Sequence, residues 1–301
     1  MADRAARDAP PAPDVADLGS LGPGTDWAAL WRVLVEERAR CRDDGSAADP
    51  RAEAGTDPWA SRARDYDERV ARRWAHPDST RAFLLEEIAE GATVLDIGAG
   101  TGAWAAFLAP RAASVTAVER SPAMIARLRT NLAARGIENV RIVHGSWPDV
   151  ALEPHDYALC AHAAYWHPDL PAFVRRMTDS ARRACFLVLR DPRLDGVMAE
   201  ASRHIRGHPM DSPNFTVAHN ILLQMGIRPH VVSERGEMRE PRHSASLEDA
   251  LKRLKRHFGL CDTAEHDDYL RALLRRRVVL RGDRYAWPPD GGSALLWWSA
   301  D

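Results

Sequence analysis

From Ala92 onward the spacing of hydrophobic positions switches back and forth between two periods. The stretches "TVLDIG", "SVTAVE", "NVRIVHG", "YALCAH" and "ACFLVLR" are short, largely apolar runs, the first three rich in β-branched residues, as strands are. Between them, segments 101–109, 121–135 and 169–182 repeat apolar residues every three or four positions, as amphipathic helices do. Strands separated by helices of about a dozen residues predict right-handed βαβ units and a parallel sheet covered on both faces. A helix over 213–225, a strand at "HVVSE", a charged helical stretch 246–280 and a final strand "ALLWWSA" complete the pattern. The expected fold is α/β: a doubly wound, mostly parallel, seven-stranded sheet over 91–301, with a helical insert at about 241–285 before the last strand.

Upstream the pattern is helical. "TDWAALWRVLVEERARC" opens on a Thr25/Asp26 cap signal and repeats Trp27, Leu30, Trp31 and Leu34 at helical spacing. A polar connector, "RDDGSAADPRAEAGTDP", leads to "WASRARDYDERVARRWA" and then to "STRAFLLEEIAE", where Ser79 or Thr80 is the expected cap. Residues 25–90 thus form an N-terminal helical cap region. Residues 1–24, rich in Ala, Pro, Asp and Gly without an apolar face, are expected to be a disordered leader.

Composition narrows the function classes. A chain of 301 residues, 45% hydrophobic and near charge −2, can bury a full core. No apolar run approaches the ~20 residues of a membrane span, and the first residues carry no apolar signal stretch, so a cytoplasmic location is expected. Cys41, Cys160, Cys185 and Cys261 are scattered without CxxC pairs, which suggests neither a disulfide framework nor a zinc ribbon. Acidic residues balance the basic ones, so no broad nucleic-acid footprint is indicated. The local run "DALKRLKRHFGL" reads as a solvated face or as an attractor for an acidic substrate.

The chemistry begins at "VLDIGAGTGAW", where Gly98, Gly100 and Gly102 stand at alternate positions between a strand and a helix. Glycine is needed where the backbone takes positive φ or a ligand touches the main chain, so the turn reads as a ligand cradle. Glu119 ends the second strand, where a carboxylate can accept both ribose hydroxyls of a nucleoside laid across the sheet edge. That geometry suits NAD and S-adenosylmethionine alike. Asp96, two residues before the first glycine, discriminates: it would repel a pyrophosphate and suits an ammonium group.

"VLDIGAGTG" followed by "VTAVERSPAMI" resembles the class I S-adenosylmethionine-dependent methyltransferases, with the resemblance fading over roughly 60–190. It implies Asp96, Gly98, Gly100 and Gly102 around the methionine end, Glu119 on the ribose and Met124 near the adenine. Arg120, beside Glu119, and Cys160, on the fourth strand, are counted with this cofactor set. "HGSWPD" resembles the family's adenine-edge loop, although members often carry an acidic residue where Ser146 stands; Trp147 can hold the base by stacking or can be a core tryptophan. "DYDERV" resembles a helix that small-molecule members lay over the cofactor, with Tyr66 facing the sulfonium.

In this topology the methyl acceptor lies beyond the fourth strand, where His162, Tyr165, Trp166 and His167 crowd together. His162 is the first candidate general base and His167 the second, with Tyr165 beside them, because imidazole titrates near neutrality. Each can equally serve a neighbouring backbone group. His162, His167 and Asp169 lack a fourth ligand at fixed spacing, so no metal is assigned. "CAHAAYW" departs from the (Asn/Asp)-Pro-Pro-(Tyr/Phe) motif of amino methyltransferases acting on nucleic acids. The expected function is methyl transfer to an O, N or S atom of a small molecule. A catalytically silent S-adenosylmethionine-binding protein and a NAD(P)-dependent enzyme are the alternatives.

Overall fold

The structure, a computed structural model, describes residues 24–40, 57–233 and 242–300. The expected leader, apart from Gly24, Cys41 and the connector before Asp57 lie outside the described residues. Helix α1 (Trp27–Arg40) starts where Asp26 accepts the Ala29 N–H at 2.8 Å. Helices α2 (Ala63–Trp74) and α3 (Ser79–Glu87) follow. Asp78 caps α3 in place of the expected Ser79 or Thr80: its carboxylate takes the Thr80 and Arg81 N–H groups at 2.7 and 3.2 Å, which a hydroxyl one residue later cannot do.

The alternation then runs β1 (Thr93–Ile97), α4 (Ala103–Leu108), β2 (Ser114–Glu119), α5 (Pro122–Ala133), β3 (Val140–His144), β4 (His155–Ala161), α6 (Leu170–Asp179) and β5 (Ala181–Asp191). Beyond it come α7 (Val197–Arg206), α8 (Phe215–Gln224), β6 (His230–Ser233), β7 (His243–Ser244), α9 (Leu247–Phe258), α10 (Asp267–Arg277), β8 (Val279–Arg281), β9 (Arg284–Ala286) and β10 (Gly292–Ser299). The seven strands of the main sheet are ordered β3-β2-β1-β4-β5-β10-β6. β1 to β5 pair in parallel, while β10 runs antiparallel between β5 and β6. The seven-stranded doubly wound sheet of the sequence reading is therefore the observed one. The insert differs: it holds two helices and a small sheet ordered β7-β9-β8.

Two apolar layers result from the strict alternation along buried strands. In β4, Ala158 and Cys160 face a core with Trp31, Leu34, Phe173 and Ile221, while Tyr157 and Leu159 face one with Leu84, Leu108 and Leu128. A third cluster joins α7, α9 and α10 through Met198, Leu254 and Leu273. Parallel pairing brings the carboxyl ends of β1 to β5 to one edge, and the order reverses between β1 and β4. A crevice outside that reversal is where such sheets take ligands. No helix among the described residues is long and apolar enough to cross a membrane.

Helix α1 belongs to the folded body. Trp31 is fully buried, and its indole N–H donates to the His167 carbonyl at 2.9 Å. Replacing a buried tryptophan by alanine removes its transfer free energy and leaves a cavity. Trp31→Ala is expected to lower unfolding free energy by ~3–5 kcal/mol, measured as a fall in the urea midpoint; an unchanged midpoint would detach α1 from the core.

Candidate active site

The glycine turn closes over the ends of β1 and β2. Gly98 and Gly100 have φ of 70° and 57°, a left-handed backbone that favours glycine. A Cβ on Gly98 would stand 2.3 Å from the Ala163 Cβ, so only glycine lets the loop after β4 approach. At Gly100 an added Cβ would make only an ordinary contact, 3.8 Å from the Tyr66 ring of α2, and the glycine lines a cavity together with that ring. Gly102 stands one step further in, packed on Leu128 at the start of α4.

Two buried carboxylates support this turn from adjacent strands. Glu119 accepts the Gly100 N–H and the Ser121 N–H, both at 2.8 Å. Burial raises the pKa of its carboxyl, against the lowering effect of those N–H donors. Asp96 is 1% exposed, and its Oδ2 has no hydrogen-bond partner. Burial, with Glu119 adding like charge, lifts the Asp96 carboxyl to about 7. The same chain of polar contacts continues outward: Ser121 Oγ donates to Asp57 at 2.8 Å, and Asp57 also accepts the Ala123 N–H at 2.8 Å and the Trp59 N–H at 3.0 Å. Trp59 meets Tyr66 edge to face at 5.2 Å. Asp67 binds Arg127 and Asn131 of α5 at 3.0 and 2.9 Å, so α2 is pinned as a roof.

Beneath that roof lies a cavity of about 330 Å³. Of the residues singled out in the sequence, Tyr66, Gly98, Gly100, Glu119, Arg120, Met124, Ser146, Trp147, His162 and His167 line it. Asp96 lies beneath the turn, and Cys160 is fully buried in β4, where burial pushes its thiol up to about 12. Trp147 is almost wholly buried beside Phe173, and its Nε1 has no hydrogen-bond partner. Trp59 and Asp149 also line the cavity and were not singled out in the sequence. Asp149 was within the quoted "HGSWPD", three residues after Ser146.

His162 adopts φ of 56°, the single positive value among the non-glycine described residues. Such strain at a sheet edge marks a position held for a purpose. Its Nδ1 lies 2.9 Å from the Tyr165 hydroxyl, and its Nε2 lies 3.2 Å from both Arg73 Nη2 and Ser293 Oγ. A guanidinium only donates, so Nε2 accepts and Nδ1 carries the proton. Tyr165 is buried behind this ring, accepts the Arg190 N–H at 2.5 Å and is pushed up to about 12 by burial. His167 donates from Nδ1 to the Asp169 carbonyl at 2.8 Å, which leaves its Nε2 as the acceptor atom. No group of three or more His, Cys, Asp or Glu among the described residues is arranged to hold a metal ion.

Arg73 and Ser293 escaped the sequence reading. Arg73 stands seven residues after Tyr66, two turns along one face of α2, which is a legible spacing once Tyr66 is chosen. Ser293, 220 residues from Arg73 and 3.1 Å from its guanidinium, left no local signal.

Comparison with known proteins finds methyltransferases. Residues 94–184 match the family model described as "Methyltransferase domain". A protein-L-isoaspartate O-methyltransferase of Methanoregula boonei is 40% identical over 94 residues, 30% of this chain and 41% of that protein. One of Methylorubrum populi is 35% identical over 106 residues, 34% of this chain and 48% of that protein. The chain thus spans less than half the length of the curated relatives it matches. In fold it is similar to a putative methyltransferase solved in complex with the Trm112 methyltransferase activator of Haloferax volcanii (TM-score 0.52, 15% identity, 83% of this chain and 99% of that one). A putative methyltransferase from Bacillus halodurans has a TM-score of 0.50 at 16% identity, covering 74% of this chain and 99% of that one. Residues 94–184 are thus similar to a methyltransferase domain, carried on a sheet of the Rossmann-like methyltransferase fold. The residues present fit S-adenosylmethionine: Gly98, Gly100 and Glu119 line the 330 Å³ cavity, and Asp96 Oδ2 and Trp147 Nε1 are buried polar atoms with no hydrogen-bond partner.

Asp96 also makes a pH-dependent contribution to folding. Its carboxyl is raised from 3.8 to about 7 in the native state, so the unfolded chain gives up the proton first. The cost is absent below the unfolded value, grows as pH rises towards about 7 and is constant above it. Thermal unfolding of Asp96→Asn against the parent protein should therefore show the parent losing ground between about pH 4 and pH 7; parallel curves would place the carboxylate in a solvated setting.

Proposed function

We propose that this protein transfers a methyl group from S-adenosylmethionine to an O, N or S atom of a small molecule. The observation that carries the reading is the roofed cavity. Asp57 and Asp67 tie the segment bearing Trp59 and Tyr66 down onto α5, and the far wall is built from Trp166, His167 and Phe173. A cavity walled by Trp59, Tyr66, Trp147, Trp166 and Phe173 with a few polar groups suits a nucleoside cofactor with an amphipathic small acceptor beside it. The curated relatives are named for action on protein L-isoaspartate, but their similarity is confined to about a third of this chain.

Each residue has a role in this reading. Glu119 accepts the ribose hydroxyls, Asp96 faces the ammonium of the methionine end, and Gly98, Gly100 and Gly102 shape the turn. Arg120, Met124, Ser146 and Trp147 surround the nucleoside, with Cys160 below. When bound, S-adenosylmethionine supplies an electrophilic methyl group on a sulfonium. Trp59 and Tyr66 exclude water from it, which strengthens every charge interaction inside. His162 takes the proton of a protonated acceptor at Nε2, while Tyr165 holds the ring from the Nδ1 side. His167, with Nε2 as its acceptor atom, is the second group able to do so. Most of the rate comes from placement, because the reacting atoms need only meet in line at short range.

Incubation with methyl-labelled donor tests the acceptor class. Label should appear in a small-molecule extract of the source organism; label confined to an isoaspartyl peptide would assign a protein acceptor, and donor binding without any product would leave a binding protein. Two substitutions test the roles. Glu119→Ala should weaken S-adenosylhomocysteine binding by roughly 1–3 kcal/mol, read by calorimetry, and unchanged affinity in folded protein would move the nucleoside elsewhere. His162→Ala should retain that affinity and lose roughly 10²–10⁴-fold in turnover; full activity would transfer the proton to His167 or leave placement alone as the mechanism.

A further inference from the structure

Helix α1 runs along the loop that walls the 330 Å³ cavity beyond β4. Trp31 bonds the His167 carbonyl, and Arg38, two turns further along the same face, lays its guanidinium over the rings of Trp166 and Tyr165 at 4.9 and 5.2 Å. Trp166 and His167 line that cavity, and the Tyr165 hydroxyl meets His162 Nδ1 at 2.9 Å. The Arg38 guanidinium and the His162 imidazole thus stand beside one tyrosine ring, 5.2 and 6.1 Å from its centre, so a small molecule with two functional ends can reach both.

Arg38 is a cation without a counter-ion. Among the described residues it makes no hydrogen bond and no ion pair. Its Nε is sealed from solvent, while the residue as a whole is half-buried, so the two Nη nitrogens form the accessible edge of the fork. The acids around it are committed elsewhere. Glu37 pairs with Arg206 at 2.9 Å, and Asp211 with Arg190 at 2.8 Å and His257 at 3.0 Å. Asp290 lies 3.4 Å from Arg190 and 3.8 Å from Arg242. Three guanidiniums therefore share two carboxylates. Burial, with Arg190 adding like charge, pushes Arg38 below the ordinary arginine value, although Asp211 pulls the other way. Desolvating a cation that has no partner is costly. An arginine stacked on aromatic faces also presents a fixed fork, which matches a carboxylate or phosphate with two charge-assisted hydrogen bonds.

We propose that the methyl acceptor is an acidic small molecule, and that Arg38 binds its oxyanion, a carboxylate or phosphate, past Trp166 while the atom to be methylated lies in the cavity beside His162. The new bond joins the methyl carbon to an O, N or S atom at the far end of the molecule as the bond from that carbon to the sulfonium sulfur breaks. The sulfur keeps the electron pair, the acceptor atom gives up its proton, and the oxyanion is unchanged. Arg38 is then a specificity residue, and the same charge turns away cationic molecules. The inference rests on the methyl-transfer reading above and narrows its substrate class.

Extract of the source organism supplies acceptor before its identity is known. It is divided on an anion exchanger in alkaline buffer, where amines lose their charge, into a retained acidic fraction and an unretained one. With methyl-labelled S-adenosylmethionine, label should pass to molecules of the acidic fraction, and the labelled product should itself be retained because the oxyanion survives. Arg38→Gln should raise the half-saturating amount of that fraction by roughly 10–100-fold, with a smaller change in maximal rate and with S-adenosylhomocysteine affinity within about twofold of the parent; Arg38→Lys should recover part of the loss. Label mainly in the unretained fraction would overturn the proposal. So would an Arg38→Gln variant that half-saturates as the parent does, or one that loses acceptor and S-adenosylhomocysteine affinity equally, since that would make Arg38 part of the framework. Label in neither fraction, from protein that binds S-adenosylhomocysteine, would overturn the methyl-transfer reading and the proposal with it.

Discussion

Two carboxylates buried at neighbouring strand ends set the terms for everything above them. β1 and β2 pair in register, Asp96 opposite Ala117 and Ile97 opposite Val118, so the chain reaches the sheet edge with Asp96 and Glu119 close together. Burying like charges is costly unless each is matched by donors. Glu119 is matched by two backbone N–H groups, and in accepting them it fixes the path of the glycine turn. Ser121 then passes the arrangement to Asp57, and Asp57 to Trp59, so the roof of the cavity is tied through side-chain and backbone bonds to the end of β2. Asp96, unlike Glu119, keeps one oxygen without a hydrogen-bond partner.

The His162 side of the cavity depends on distant parts of the chain. His162 sits where Arg73 of α2, Ser293 of β10 and Tyr165 converge, and Trp31 of α1 holds the carbonyl of His167. The insert is tied to the same edge. Asp211 is buried and binds Arg190 of β5 at 2.8 Å and His257 of α9 at 3.0 Å; burial opposes its ionisation, but these partners hold its carboxyl well below the usual range. Arg190 in turn donates its backbone N–H to Tyr165, so α9, β5 and the residue behind His162 form one connected set.

The parts of this site legible in the sequence are those encoded within a few residues. The glycine turn, Glu119 at the end of its strand and Tyr66 on an amphipathic helix each carry a local reason for their residue type. Arg73 and Ser293 do not, because their meaning arises from a fold that joins positions 220 residues apart. Asp57 stands in a polar connector where one more acid draws no notice, yet it anchors the roof. The small sheet of the insert was missed because β7 has two residues and β8 and β9 three each, too few to display a period. The basic run in α9 is partly spent internally: Lys255 pairs with Asp267 at 2.7 Å and His257 with Asp211.

The central claim is that the turn above Asp96 receives the cationic, amino-acid end of S-adenosylmethionine. Calorimetric titration with S-adenosylhomocysteine in two buffers of different ionisation enthalpy measures it directly. An ammonium placed over Asp96 favours its carboxylate form, so binding should be one to one and should release protons below about pH 7, the value to which burial lifts this carboxyl, with the release fading above it. Binding heats identical in both buffers at every pH, or tight binding of NAD in place of S-adenosylhomocysteine, would contradict the account.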